Sequence, residues 1–249
     1  MLDRRLSACA GLVRPGAVVC DVGTDHAYLP CELVLSGKTP RAIAADLHPG
    51  PLDSAARHIR ESGCAGRIEP VLSDGLRGVP PGGADDIVIA GMGGELIARI
   101  VLECGWLREP QRRLILQPMT RAPFLRAELL RHGFSILEEV PVVERGHGYA
   151  VLHCAWTGKR READPLFALA GKLPESAAPD RDAVLLMLAR QQEKIAAGLS
   201  RSRQDGGAAA RHRRLAEQLR AFLPNGEKCA ILEQNQDGAG APPERRDPE

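Results

Sequence analysis

Five short apolar runs of strand length punctuate the first half of the chain: AVVCDV at 17–22, AIAAD at 42–46, IEPVL at 68–72, DIVIA at 86–90 and RLILQ at 113–117. Each ends in an acid, a glycine or a polar turn, as strands buried in a sheet do. Between them, apolar positions recur at helical spacing over 27–36, 50–62, 93–103 and 122–132. Strands alternating with helices at this interval predict parallel βαβ units, whose right-handed crossovers put helices on both faces of one sheet. The expected fold class is α/β. The rhythm then changes: GFSILEEVPVVERG and GYAVLHCAWTG are two apolar runs hinged at Gly146–Gly148 with no room for a helix between them. An antiparallel hairpin should therefore finish a mostly parallel sheet.

After WTGKRREADP the strand pattern stops. Pro179 and Asp180 mark a helix start, and Val184, Leu185, Leu188, Ile195 and Leu199 follow at roughly the spacing of one helix face. A second helical run, AAARHRRLAEQLRAFL, comes after a break at Gly206–Gly207, which predicts a C-terminal helical hairpin. The stretch from Asn225, rich in glycine, proline and charge, reads as disordered. The expected organisation is an α/β domain over 1–158, a helical domain over 159–224 and a tail over 225–249.

Composition narrows the class. With 249 residues and 44% hydrophobic content the chain can bury a sizeable core. It carries no run of 18 uncharged apolar residues and no uninterrupted hydrophobic stretch at its start, so a cytoplasmic protein with no membrane partner is expected. Seven cysteines, an odd number without a C-x-x-C pair, read as reduced core residues and predict neither a metal site nor a disulfide framework. A net charge of +1 announces no strong nucleic-acid binding. Its distribution says more: basic residues outnumber acidic ones between Arg181 and Leu223, and Arg112, Arg113, Arg121 and Arg126 fall around the fifth strand. Such groups supply phosphate contacts, although a charge run is as often a solvated face.

Ligands of open α/β sheets bind beyond the carboxyl ends of the strands, where strand order reverses. Those ends carry a pattern here: DVGTDH after the first strand, Asp46 after the second, SDG with Asp74 and Gly75 after the third, and AGMGG after the fourth. Asp21 and Gly23 make a D-x-G turn, but the further glycines that a dinucleotide pyrophosphate needs are missing, which disfavours a dehydrogenase. A nucleoside cofactor without phosphate does not need them, and S-adenosylmethionine is the common ligand of that kind. Asp46 stands at about the interval at which an acid accepts hydrogen bonds from ribose hydroxyls. Asp74 and its neighbouring backbone are placed to meet an adenine amino group. The bland alternative, turn residues and helix caps, stays open for each acid taken singly.

The strings DVGTDHAYLP, GPL at 50–52, DGL at 74–76, IAGMGG at 89–94 and LQP at 116–118, closed by Tyr149, resemble in order and spacing the bacterial TrmK-type tRNA adenine-22 N1-methyltransferases. The resemblance covers roughly residues 4–155. It implies a class I methyltransferase domain of Rossmann-like type that binds S-adenosylmethionine, a helical C-terminal domain of coiled-coil type, and tRNA as the partner, with the oligomeric state left open. The family's usual L-Q-P-N stands here as LQPM, so Met119 replaces an amide and base recognition departs from the family pattern.

Methyl transfer from a sulfonium is an in-line displacement in which positioning and electrostatics do most of the work. Adenine N1 lies on the Watson–Crick edge, so the base must be unpaired or flipped to be reached. The product is cationic until its exocyclic amine loses a proton. Asp25 and His26 are the candidates to stabilise that charge and accept that proton, with Tyr28 as a stacking or hydroxyl partner. Against this stands a reading in which Asp25 caps the helix beginning near Ala27 and Tyr28 packs under the sheet. Asp21, Gly23, Asp46, Asp74, Gly75, Ala90, Gly91 and Met92 are expected to line the cofactor. Gly93, Gly94, Gln117 and Arg126 are expected to meet the substrate. The rival functions are a methyltransferase acting on a small molecule or a protein, and a non-catalytic module that binds RNA or a nucleoside.

Overall fold

Residues 2–201 and 207–224 are described in a computed structural model of the chain. The tail expected from Asn225 lies outside these residues, as do Gly206 and Cys229. Seven strands form one sheet: β1 (Val19–Val22), β2 (Ala42–Asp46), β3 (Ile68–Leu72), β4 (Asp86–Gly93), β5 (Arg113–Thr120), β6 (Phe134–Glu144) and β7 (His147–Trp156). Their order is β3-β2-β1-β4-β5-β7-β6, parallel from β3 through β5 and antiparallel at β7 and β6. The chain thus returns from the β3 edge to pair β4 against β1, and this pair is the point where strand order reverses. The hairpin of β6 and β7 turns on Arg145 and Gly146, both left-handed at φ +49° and +76°, which is what a two-residue hairpin turn requires.

Alternation along the strands explains the layers. Cys20, Val22, Ile43, Ala45, Ile87, Ile89, Leu114 and Leu116 point to one face, while Val19, Ala42, Ala44, Val88 and Ile115 point to the other. The second face is covered by α1 (Arg4–Leu12), α2 (Tyr28–Leu35) and α3 (Pro49–Glu61). The first is covered by α4 (Gly94–Glu103), α5 (Ala122–Arg131), the short α6 (Pro165–Ala170) and α7 (Arg181–Leu199). Six cysteines are free and buried in these layers.

Two helices escaped the periodicity reading, and caps define both. Asp3 accepts the Leu6 N–H at 2.8 Å to start α1, and Asp164 accepts the Phe167 N–H at 2.9 Å to start α6, which has proline at its first position. At the C-terminal end, Arg220 pairs with Glu193, Arg213 with Ser200, and Arg181 donates to the Phe222 carbonyl. These pairs run α7 and α8 (Ala208–Arg220) antiparallel. The helices do not form a core of their own. Val184, Leu185 and Ala189 of α7 and Leu219 of α8 join the cluster that includes Leu152 and Ile136 of the sheet. The boundary expected at 158/159 therefore does not separate two cores, and removing residues 159–224 would uncover part of the sheet. Among the described residues, no helix is long and apolar enough to cross a membrane.

Candidate active site

The carboxyl ends of β1, β2 and β4 converge on a D-x-G turn. Asp21, the third residue of β1, is buried, and Gly23 leaves the strand at φ +81° with its N–H donated to Ala45 O of β2 at 2.7 Å. A side chain at position 23 would be strained in that conformation and would also meet the Met92 methyl, whose Cε lies 2.2 Å from the position of an added Cβ. Opposite, β4 bulges at Gly91, where φ is +78° and the pairing with β5 slips on either side of Met92. Nothing lies within 4 Å of a Cβ placed on Gly91, so the bare backbone of the bulge opens onto free space. Ala90, Met92 and Gly93 beside it are partly buried.

Charge gathers on one side of this turn. Burial pushes the Asp21 carboxyl up to about 6, the adjacent Thr24 hydroxyl opposes the shift, and the Asp46 charge adds to it. Thr24 Oγ1 lies beside that carboxylate yet makes no hydrogen bond of proper geometry among the described residues. Asp46, 9% exposed at the end of β2, accepts the His48 N–H on Oδ1 at 2.8 Å; its Oδ2 accepts none among the described residues. Two nearly buried carboxylates thus end neighbouring strands, close enough for their charges to interact.

The DHAY segment follows directly after this turn and leads into α2. Asp25 does not cap α2: the cap is Ala27, left-handed at φ +53°, with no side-chain hydrogen bond. Tyr28 does not pack under the sheet either, being 51% exposed. Its ring lies 5.3 Å from that of His26 and edge-on to His58 at 4.9 Å, an exposed aromatic row. Asp25 and His26 contact each other at 3.4 Å with side chains 72% and 45% exposed.

Several expected site residues prove to be committed elsewhere. Arg126 is 1% exposed and bound to Glu139 through two hydrogen bonds of 2.9 and 2.7 Å, with its Nη1 on the Ala168 and Leu169 carbonyls. Four of its five N–H donors are held in this way, although the residue also lines the cleft between the end of β5 and α7. Gly94 is buried because a Cβ there would stand 2.6 Å from the Arg121 carbonyl, so its bareness serves the approach of the β5–α5 turn, not a base. Gly75, at φ +60°, is bare where a Cβ would stand 3.0 Å from the Ile100 side chain of α4. Gln117 is fully buried: its Oε1 accepts the Gly91 N–H at 3.1 Å, and its Nε2 donates to Pro118 O at 3.0 Å. It shapes the bulge from beneath and is out of reach of a substrate. Asp74 is shared by Arg99 at 3.3 Å and Arg77 at 3.5 Å beside a pocket of about 200 Å³ lined by Leu76, Val79, Ile100 and Trp106. Of the arginines around β5, Arg112 and Arg113 sit at its amino end and donate to the Ala84 and Leu12 carbonyls, on the wrong edge of the sheet; only exposed Arg121, paired with Glu95, faces the carboxyl edge.

A cleft of about 470 Å³ between that edge and α7 was not legible in the strand-end pattern. Met119 and Thr120 of β5, Tyr149 at the start of β7, and Val184, Leu188 and Gln191 of α7 line it. It exists because α7 packs on the hairpin, which sequence periodicity alone does not place. Arg5 of α1, whose guanidinium lies 5.5 Å from the Tyr149 ring centroid, borders the same residues and was missed for the same reason.

Comparison with known proteins agrees with this arrangement. A family profile described as "Methyltransferase domain" matches residues 2–152. The tRNA (adenine(22)-N(1))-methyltransferase of Bacillus subtilis (strain 168) is 43% identical over 152 residues, which are 61% of this chain; the chain spans 63% of that enzyme's length in the match. The crystal structure of the B. subtilis m1A22 tRNA methyltransferase TrmK superposes with a TM-score of 0.77 at 31% identity, covering 88% of this chain and 98% of that one. A putative tRNA (m1A22) methyltransferase of Streptococcus pneumoniae, in complex with S-adenosyl-L-methionine, gives a TM-score of 0.75 at 32% identity, covering 88% and 99%. The solved relatives are matched over nearly their whole length, helices included, and the profile covers the sheet whose switch point carries the D-x-G turn, so the chain belongs to the bacterial TrmK-type tRNA (adenine-22 N1)-methyltransferase family.

Proposed function

We propose that the protein transfers a methyl group from S-adenosylmethionine to N1 of adenine 22 in tRNA. The observation that carries this reading is the pair of buried carboxylates, Asp21 and Asp46, at the carboxyl ends of the neighbouring strands β1 and β2, with the open backbone of the Gly91 bulge on β4 at the other side of β1. This geometry fits the donor. Asp46, whose Oδ2 accepts no hydrogen bond among the described residues, suits vicinal ribose hydroxyls, and Asp21 suits the ammonium group of the donor's amino-acid end. The Thr24 hydroxyl, beside Asp21 and without a well-formed hydrogen bond among the described residues, adds a donor or acceptor at the same turn. When bound, S-adenosylmethionine supplies an electrophilic methyl on a sulfonium, so no general acid is needed to activate it. The chain's own task is to hold an unpaired adenine with its N1 lone pair in line. The open backbone of the Gly91 bulge lets a flat base approach closely, and the exposed His26 and Tyr28 rings offer a stacking edge. Methylation leaves the adenine cationic; Asp25 stabilises that charge and His26 takes the amine proton. Exposed Arg211, Arg213 and Arg214 on α8 offer phosphate contacts to the body of the RNA.

Asp21 gives this reading a pH signature. Its raised value means that the folded protein holds a proton more tightly than the unfolded chain between the ordinary carboxylate range and about 6, so this group's contribution to stability falls as pH rises through that window. A cationic ligand reverses the preference. Cofactor affinity should climb between pH 5 and 6 by up to about ten-fold per unit, then level off, with proton release on binding. Calorimetry in buffers of different ionisation enthalpy measures both. Asp21→Asn should flatten the profile, and a flat wild-type profile would remove Asp21 from the cofactor site.

Asp25→Asn should leave the melting temperature unchanged, since the residue caps nothing and is exposed. Covered by RNA, its charge acts in a drier setting, and the single-turnover rate should fall about ten-fold, some 1.4 kcal/mol of barrier. A wild-type rate would move charge stabilisation to the Gly91 bulge. The reading as a whole is tested by nucleoside mass spectrometry of tRNA from cells with and without the gene. N1-methyladenosine should disappear with the gene; unchanged levels would reject the assignment.

A further inference from the structure

Arg5 is unusually placed for a residue at the start of a surface helix. Its side chain is 21% exposed, and its guanidinium reaches inward from α1 to the carboxyl edge of β5. Nη2 is held by Asp3, the cap of its own helix, at 2.6 Å. Nη1 reaches Gln117 Oε1 at 3.4 Å and the Met119 sulfur at 2.7 Å, and Nε is buried with no partner among the described residues. A thioether is a weak acceptor, so the cation is under-satisfied on the side that faces β5.

The Gln117 oxygen that Arg5 touches is also the acceptor of the Gly91 N–H. The other end of that carboxamide is tied to Pro118 O, so it cannot swing to find a different partner. Three groups thus form a line: the Arg5 guanidinium, the Gln117 carboxamide and the Gly91 amide at the apex of the bulge. Met92, the next residue, lies over Gly23 of the D-x-G turn. On its other side the guanidinium borders the cleft below α7, over Tyr149 and against Met119. Neighbouring Arg4 ties α1 to Glu144 and the Val143 carbonyl of β6 and to Asp180 at the start of α7, so the helix that carries Arg5 is fixed both to the hairpin and to the helix that walls the cleft.

We propose that Arg5 is a positioning residue: through Gln117 it holds the Gly91 bulge in the shape that receives the target adenine, and through Tyr149 and Met119 it links that bulge to the cleft below α7. That the bulge receives an adenine rests on the methyltransferase reading; the relay from Arg5 through Gln117 to Gly91, and its link to the cleft, do not. Charge on Arg5 strengthens the Gln117 oxygen's orientation as an acceptor, and loss of the charge leaves that oxygen held by the Gly91 N–H alone. Met119 makes this chain the more dependent on the Gln117 contact, because its sulfur replaces the amide usual in the family and offers little to the guanidinium.

Arg5→Met and Arg5→Lys in the full chain separate positioning from mere packing. Methionine keeps much of the length and apolar stem; lysine also keeps the charge and one donor for Gln117. The Gly91 amide, followed by NMR hydrogen exchange, should lose about ten-fold or more of its protection in Arg5→Met and less than about three-fold in Arg5→Lys. The single-turnover methylation rate should follow the same order, with cofactor affinity within about two-fold of wild type in both variants. Unchanged Gly91 protection in a folded Arg5→Met protein would overturn the relay. A rate loss that tracked melting temperature or cofactor affinity, and was equal in the two variants, would reduce Arg5 to packing. The exchange measurement needs no RNA, so it decides the relay even if adenine 22 proves not to be the target.

Discussion

Arg126→Ala should destabilise the protein by about 3–5 kcal/mol, the cost of leaving a buried charge without its partner. The arginine and Glu139 are 1% and 3% exposed, and they join α5 to β6 while the remaining guanidinium donors hold the carboxyl end of α6. Alanine would strand the carboxylate in the core and orphan two carbonyls. The loss should appear as a lower denaturant midpoint. Replacing both partners together, as Arg126→Met with Glu139→Leu, should recover much of it, because the pair's desolvation cost disappears with the pair. Should Arg126→Ala instead keep its midpoint and lose affinity for tRNA, the residue would be a substrate contact after all.

Asp46→Ala should weaken S-adenosylmethionine binding by about ten-fold to a hundred-fold, as expected for losing charge-assisted hydrogen bonds worth about 1.5–3 kcal/mol. The carboxylate ends β2 nearly buried, and among the described residues only one of its oxygens accepts a hydrogen bond, from the His48 N–H. Its removal should cost little stability. It lies close enough to Asp21 to raise that neighbour's pKa, so deleting the charge relieves a like-charge contact as it removes a cap on the His48 amide. The pH at which affinity levels off should therefore move down in this variant. Unchanged affinity in folded Asp46→Ala protein would place the ribose elsewhere.

Most of the sheet could be read from the sequence because its strands are short apolar runs closed by turn residues, and the period of two survives into the two faces of the core. The strand-end acids were legible for the same reason: topology puts whatever follows β1, β2 and β4 at one edge. What pattern could not show was which polar groups tertiary packing consumes. Arg126 and Gln117 look available in one dimension, yet each is sealed by partners far along the chain, Glu139 and Gly91. Arg112 and Arg113 lie at the opposite edge from Arg121, because residues opening a strand and residues closing it are neighbours in sequence but a strand length apart in space. Asp3 and Asp164, by contrast, were ordinary cap signals that could have given α1 and α6 from sequence, and α1 would have brought Arg5 with it.

The most direct test of the account is methylation of two unmodified tRNA transcripts by the purified protein with S-adenosylmethionine, one with adenine at position 22 and one with guanine there. The account predicts N1-methyladenosine in the first, mapped to position 22 by a reverse-transcription stop, and none in the second. Methylation that is equal in both transcripts, or absent from both while the protein binds the cofactor, would contradict it.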